Sequence, residues 1–165
     1  MNTAISSDMM TRRTRRVLIR ICDRGLKLTT AESCTGGLIA ALVTDIEGCS
    51  HAFERGFVVY TDAAKHEVLG VSREMLRRCG AVSAAVAIAM AEGALHRSDA
   101  DIAVSVTGYA GPSAEGGEEG RVHFALARQD GETLHREEGF GPLGRDPIRQ
   151  RCLETVLDML EDIVA

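Results

Sequence analysis

Residues 27–45 read KLTTAESCTGGLIAALVTD, and the fold follows from how this stretch is parsed. Lys27 to Ala31 has the length and β-branched content of a short strand, and the apolar run after Gly37 continues as a helix to about Asp45. Between them lies Glu32-Ser33-Cys34-Thr35-Gly36-Gly37, a strand-to-helix turn. Glycine adopts backbone conformations that other residues avoid, so such a turn brings the main chain close to a ligand. The N–H groups of Cys34, Thr35, Gly36 and Gly37, backed by the positive end of the helix, suit an anion or a developing oxyanion. The turn has neither the lysine of a phosphate-binding P-loop nor the spacing of a dinucleotide fingerprint. Taken alone, it is as readily structural as functional.

Working outward, a helix over about 9–24 precedes this unit and ends at Gly25, a residue suited to a left-handed C-terminal position. Phe53 to Tyr60 reads as a second strand, rich in aromatic and β-branched residues. A short helix carrying Lys65 and Val68-Leu69 stops at Gly70. Ser72 and Ser83 are N-cap residues of two further helices, with Gly80 ending the first. The second, Ala84 to about His96, is apolar almost all round and is expected to be largely buried. Asp101 to Thr107 is a nearly continuous apolar strand, as when both faces of a sheet are covered. A glycine-rich loop, 108–120, follows it. Arg121 to Arg128 and Glu132 to Glu138 are joined by Asp130-Gly131, a two-residue hairpin signal. Asp146 then caps a last helix with Pro147 at its first position, and Ile148, Cys152, Val156, Leu160 and Ile163 form its buried stripe. Strands alternating with helices, plus one antiparallel hairpin, predict an α/β protein, a three-layer α/β/α sandwich on a mixed β-sheet. With no repeat or linker, residues 1–165 are expected to form one domain.

The formal charge of −5 argues against a nucleic-acid partner, whose phosphates demand a basic surface. The local exception is Arg12, Arg13, Arg15, Arg16, Arg20 and Arg24. With Met10, Val17, Leu18 and Ile21 on one helical face, Arg13, Arg16, Arg20 and Arg24 fall towards water. A phosphate site and a presequence-like role are alternatives to a solvated face. Cys22, Cys34, Cys49, Cys79 and Cys152 are odd in number and show no metal-ligand rhythm, so thiols in a reducing cytosol are expected. No apolar run is long enough to span a membrane, and no secretory signal opens the chain. His51, His66, His96, His123 and His135 have no ligand spacing, and are expected at the surface or satisfied at the core edge. Neither a metal nor a cofactor is expected.

Lysine is scarce: Lys27 and Lys65 stand against 17 arginines, and Tyr60 and Tyr109 are the only tyrosines. Lysine, unlike arginine, acts as a base when burial lowers its pKa. Tyr60 ends a strand and Lys65 lies five residues on, so both can face one cleft. A surface lysine and a core-edge tyrosine remain the alternative.

TAESCTGGLIAALVTDIEGCSHAFERGFVVYTDAAKHEVLGV (30–71) resembles the core signature of the CinA C-terminal domain family, whose activity is nicotinamide-nucleotide amidohydrolysis. Ala81-Val82-Ser83, Ser105 to Pro112 (SVTGYAGP) and Arg145 to Arg149 (RDPIR) continue the likeness in order, so it covers nearly the whole chain. It implies the α/β/α fold and the conversion of nicotinamide mononucleotide to nicotinate mononucleotide and ammonia. It implies catalysis by Ser33, Tyr60 and Lys65, with Ser33 as nucleophile and Lys65 as its base, directly or through Tyr60. Cys34 to Gly37 become the oxyanion donors, and Thr107, Gly108 and Gly111 the loop that holds ribose or phosphate. Arg145 is a phosphate ligand or a surface ion pair, and Cys34 is an alternative nucleophile. In longer relatives this domain follows a pyrophosphatase-like domain; here it is read as standing alone. A homo-oligomer is also implied.

The sequence departs from the family pattern in the 113–121 loop, where the usual lysine and proline are missing and Arg121 stands at a threonine or apolar position. Tyr109 replaces a commonly aliphatic residue, and Cys49 a serine. These changes bear on substrate preference more than on reaction type. Two other readings compete with this one. A short-chain dehydrogenase spaces its tyrosine and lysine four apart and carries a glycine-rich dinucleotide loop, so it is rejected. A non-catalytic nucleotide-binding protein linked to competence or DNA damage is the alternative to the enzyme.

Overall fold

The computed structural model describes residues 8–113 and 116–165; Ala114 and Glu115 of the glycine-rich loop lie outside the described residues. In order come α1 (Asp8–Asp23), β1 (Leu28–Glu32), α2 (Leu38–Thr44), a 3₁₀ turn (Ser50–Ala52), β2 (Phe53–Val58) and α3 (Asp62–Leu69). Then follow α4 (Arg73–Cys79), α5 (Ala84–His96), β3 (Ile102–Gly108), β4 (Arg121–Arg128), β5 (Leu134–Gly139) and α6 (Arg145–Val164). The sheet order is β2-β1-β3-β4-β5. β1 is parallel to both β2 and β3, and the β3–β4 and β4–β5 pairs are antiparallel.

Alternation along the strands sends side chains to two different layers. Ile102, Val104, Val106, Val122, Phe124 and Leu126 pack with α1, α2 and α6, whereas Ala103, Ala125 and Ala127 pack under α5 and its neighbours. Alanine on the second face lets the Ala-rich α5 lie close to the sheet, and Ser105 Oγ donates to Ala87 O at 2.6 Å. Gly93 permits the same closeness to α3, since a Cβ there would overlap the Leu69 carbonyl. The α/β/α sandwich on a mixed sheet expected from the sequence is the fold observed.

Several local expectations are corrected. β2 ends at Val58, leaving Val59 and Tyr60 beyond the strand. The β4–β5 connection is longer than Asp130-Gly131, because pairing begins only at Leu126 with Leu134. The end of β4 is held by β3 instead, Arg128 pairing with Ile102. α6 starts at Arg145 and is capped by Gly144, not Asp146. Gly144 takes a φ of 85° that favours glycine, and its N–H donates to Glu119 Oε1 at 3.0 Å. Arg13 is only half-exposed and is ion-paired: its Nη2 lies 2.7 Å from both Asp158 and Glu161 of α6. Arg24 Nη2 donates to the Ala165 carbonyl at 2.9 Å, a cation at a helix C-terminus. These arginines therefore tie α1 to α6.

The connections leaving β1 and β2 run to opposite faces: α2 joins the α1–α6 layer, and α3 to α5 join the other. The crevice at the C-terminal ends of β1 and β3 is thus a switch point of the kind where α/β sheets bind ligands.

Candidate active site

Glu32 shapes the turn that leaves β1. Its main chain is still in the sheet, with Val59 N donating to Glu32 O at 2.9 Å and Ser33 N to Val106 O at 3.0 Å. Its fully buried side chain folds back and accepts from the amides of Gly37, Ile39 and Ala40 at 3.0, 3.1 and 2.9 Å. These amides belong to the start of α2 and have no partner within the helix, and a carboxylate also opposes the helix dipole. Gly36 and Gly37 sit at φ 61° and 95°, where a side chain is strained.

This capping changes the anticipated set of anion donors. The Gly37 amide belongs to Glu32, and the Gly36 amide donates to Ser33 O at 3.1 Å. Among the described residues neither the Cys34 nor the Thr35 amide donates to an oxygen acceptor. Of the two, Cys34 borders the cleft, whereas Thr35 is fully buried. Thr35 O is itself held by Arg149 Nη2 of α6 at 2.8 Å.

Lys65 reaches the turn from the neighbouring strand. Thr61 caps α3, its Oγ1 accepting from Ala64 N at 3.1 Å, which sets Lys65 one turn into the helix. From there the side chain folds back over the end of β2 and is 1% exposed. Its Nζ lies 3.3 Å from Ser33 Oγ, 3.2 Å from Val59 O and 3.1 Å from Tyr60 O. No ion pair among the described residues includes it. Burial pushes its pKa down, with Asp62 and then Cys34 opposing the shift. A neutral amine fits this buried setting, with three oxygen neighbours and no ion-pair partner among the described residues.

Tyr60 joins the group differently from expectation. Its link to Lys65 is the main-chain carbonyl, while the side chain is 63% exposed at the cleft rim. Cys34 is buried, and its thiol pairs with that of Cys152 on α6. That pairing, aided by Arg149, lowers the Cys34 pKa, while Cys152 is pushed up. Lys65 bonds Ser33 and not this thiol.

The cleft has a volume of about 600 Å³, with Ser33, Cys34 and Lys65 at its base and the 107–113 loop along one side. Thr107 lines it but is committed to the scaffold, its Oγ1 donating to Ala81 O at 2.8 Å. Gly108 answers packing, since a Cβ would stand 2.7 Å from Val122 Cγ2. Gly111 faces open space, and Arg145 is exposed at the rim. Glu32 and Arg149 were quoted in the sequence as part of the turn and of the last helix without a role. A glutamate at a strand end just before a Gly-Gly turn was the available signal for the first. His123 is buried and pairs with His135, Nδ1 to Nε2 at 3.0 Å. Among the described residues no group of three His, Cys, Asp or Glu side chains is placed to hold a metal ion. Among the described residues no helix is long and apolar enough to cross a membrane.

The model of the CinA C-terminal domain matches residues 10–164. A nicotinamide-nucleotide amidohydrolase PncC of Escherichia coli K12 is 48% identical over 141 residues, covering 83% of this chain and 84% of that protein. A CinA-like protein of Akkermansia muciniphila is 49% identical over 148 residues, 86% of this chain but only 36% of its own length. The chain therefore spans about a third of some relatives and most of others. A crystal structure of a competence/damage inducible protein from Agrobacterium tumefaciens superposes with a TM-score of 0.91 at 45% identity, over 98% of both chains.

The Glu32 cap yields a prediction. Glu32→Ala strands three amides at a buried helix start and is expected to lower unfolding free energy by about 3 kcal/mol in urea titrations. A loss below about 1 kcal/mol would show that the turn holds its shape without the carboxylate.

Proposed function

This chain belongs to the CinA C-terminal domain family, and we propose that it hydrolyses the carboxamide of nicotinamide mononucleotide to nicotinate mononucleotide and ammonia. The observation that carries the reading is the buried Lys65 amine, without a carboxylate partner and 3.3 Å from Ser33 Oγ. A serine hydroxyl is a poor nucleophile until a base takes its proton, and a desolvated lysine is such a base.

In this mechanism Ser33 Oγ attacks the carboxamide carbon as its proton passes to Lys65 Nζ. The oxyanion that forms is met by the Cys34 amide, a contact of a kind worth roughly 3 kcal/mol. Collapse breaks the C–N bond, the proton on Lys65 goes to the departing nitrogen, and ammonia leaves an ester on Ser33. A water then gives its proton to Lys65 and attacks the ester, and Ser33 recovers its proton as the acid departs. Tyr60 orients Lys65 through its carbonyl, and its phenol stands at the rim where the leaving nitrogen departs. Gly111 and Gly108 let the loop approach the ribose, Thr107 fixes that loop to α5's approach, and Arg145 receives the phosphate.

The test is ammonia release from nicotinamide mononucleotide beside nicotinamide riboside and NAD, without added metal. Release from the mononucleotide alone is expected, abolished in folded Ser33→Ala and Lys65→Ala and largely kept in Cys34→Ser. Loss in Cys34→Ser with turnover intact in Ser33→Ala would move the nucleophile to the thiol. Binding without release would favour a nucleotide-binding protein.

The pH dependence has a fixed sign. The base works when neutral, so kcat/KM falls as pH drops through a lysine pKa held below the ordinary 10.5. A profile that keeps rising to pH 10.5 and beyond would mean that Lys65 is not the base.

A further inference from the structure

Both tyrosines of the chain, Tyr60 and Tyr109, line the cleft, and the reaction above uses only the first. Tyr109 follows β3 and is pinned through its main chain. Its N–H donates to Arg121 O at 3.0 Å, and its carbonyl accepts from Gly120 N at 2.8 Å. The loop returns over it at Gly117, where a Cβ would fall within the outer end of the Tyr109 ring. Only glycine leaves that space. Bare backbone thus stands against the ring at Gly117, and Tyr109 as a residue is half-buried and lines the cleft.

We propose that Tyr109, braced by Gly117, is the platform on which the planar ring of the substrate stacks, and that it selects a cationic N-alkylated pyridinium carboxamide over an uncharged one. This rests on the amidohydrolase reading and adds the residue that recognises the ring. An aromatic face attracts a cation and stacks offset on another ring, and a pyridinium offers both at once. A braced side chain also loses little freedom when the ligand arrives. The neutral state of Lys65 is compatible with this, because a charged ammonium at the cleft base would repel a cationic ring. Gly117 is a positioning residue, acting only through the Tyr109 ring.

The chain contains no tryptophan, so its intrinsic emission comes from Tyr60 and Tyr109. In Tyr60→Phe only Tyr109 emits, and saturating it with nicotinate mononucleotide, a stable pyridinium, is expected to quench most of that emission. Tyr109→Leu is expected to raise KM for nicotinamide mononucleotide about ten-fold with kcat nearly unchanged, and Tyr109→Phe to restore it. Gly117→Ala should raise KM as well but add little on top of Tyr109→Leu. Tyr109 emission that is unchanged at saturation, or a wild-type KM in Tyr109→Leu, overturns the platform while wild-type ammonia release leaves the reaction standing. Absence of ammonia release from the wild type removes the reaction and the platform together.

Discussion

The Glu32 carboxylate is the constraint on which the site depends. It ends β1 in the sheet and, in the same residue, closes the start of α2 through three amides. That double commitment forces the chain into a tight turn with glycine at Gly36 and Gly37. It leaves Ser33 facing the end of β2, with the Cys34 and Thr35 amides beside it. A dipolar helix start that otherwise draws an anion is neutralised from within. The turn therefore does not present its helix start as a general anion site.

Lys65 supplies the complementary constraint. A buried lysine without a carboxylate is costly when charged, and proteins in that position favour the neutral amine. Here the fold provides two main-chain carbonyls and the Ser33 hydroxyl around its Nζ. The carbonyls come from Val59 and Tyr60, just where β2 stops. Ending the strand at Val58 thus places these two carbonyls around the Lys65 amine.

Fold class and the order of elements were legible in the sequence, because periodicity, caps and strand ends are local signals, whereas the pairing of Ser33 with Lys65 came only from the family resemblance. Ser72, Ser83 and Gly70 cap their helices as read. What was not legible depends on partners distant in the chain. Arg13 reads as solvated until α6 is laid beside α1 with Asp158 and Glu161 facing it. The β4–β5 loop reads as two residues until β3 is seen to hold the end of β4. At the site, residue types pointed to Gly36 and Gly37 as donors, but the curl of the turn gives those amides to Glu32 and Ser33. Tyr60 was read through its phenol, whereas its contact with Lys65 is a carbonyl, which no side-chain motif encodes. The thiol pairing of Cys34 with Cys152 is likewise a product of α6 docking on the turn.

The claim at the centre of this account is that Lys65 is neutral in the folded protein at working pH. With only two lysines in the chain, Lys27 and Lys65, a sample labelled at lysine side chains gives two resolvable Cε/Nζ signals, the exposed Lys27 serving as internal reference. A pH titration by NMR is the most direct measurement. The account predicts that Lys65 loses its proton at a pH clearly below the ordinary lysine value of 10.5, and that Lys65→Met removes the displaced signal. A Lys65 signal that titrates at 10.5 or above would contradict it.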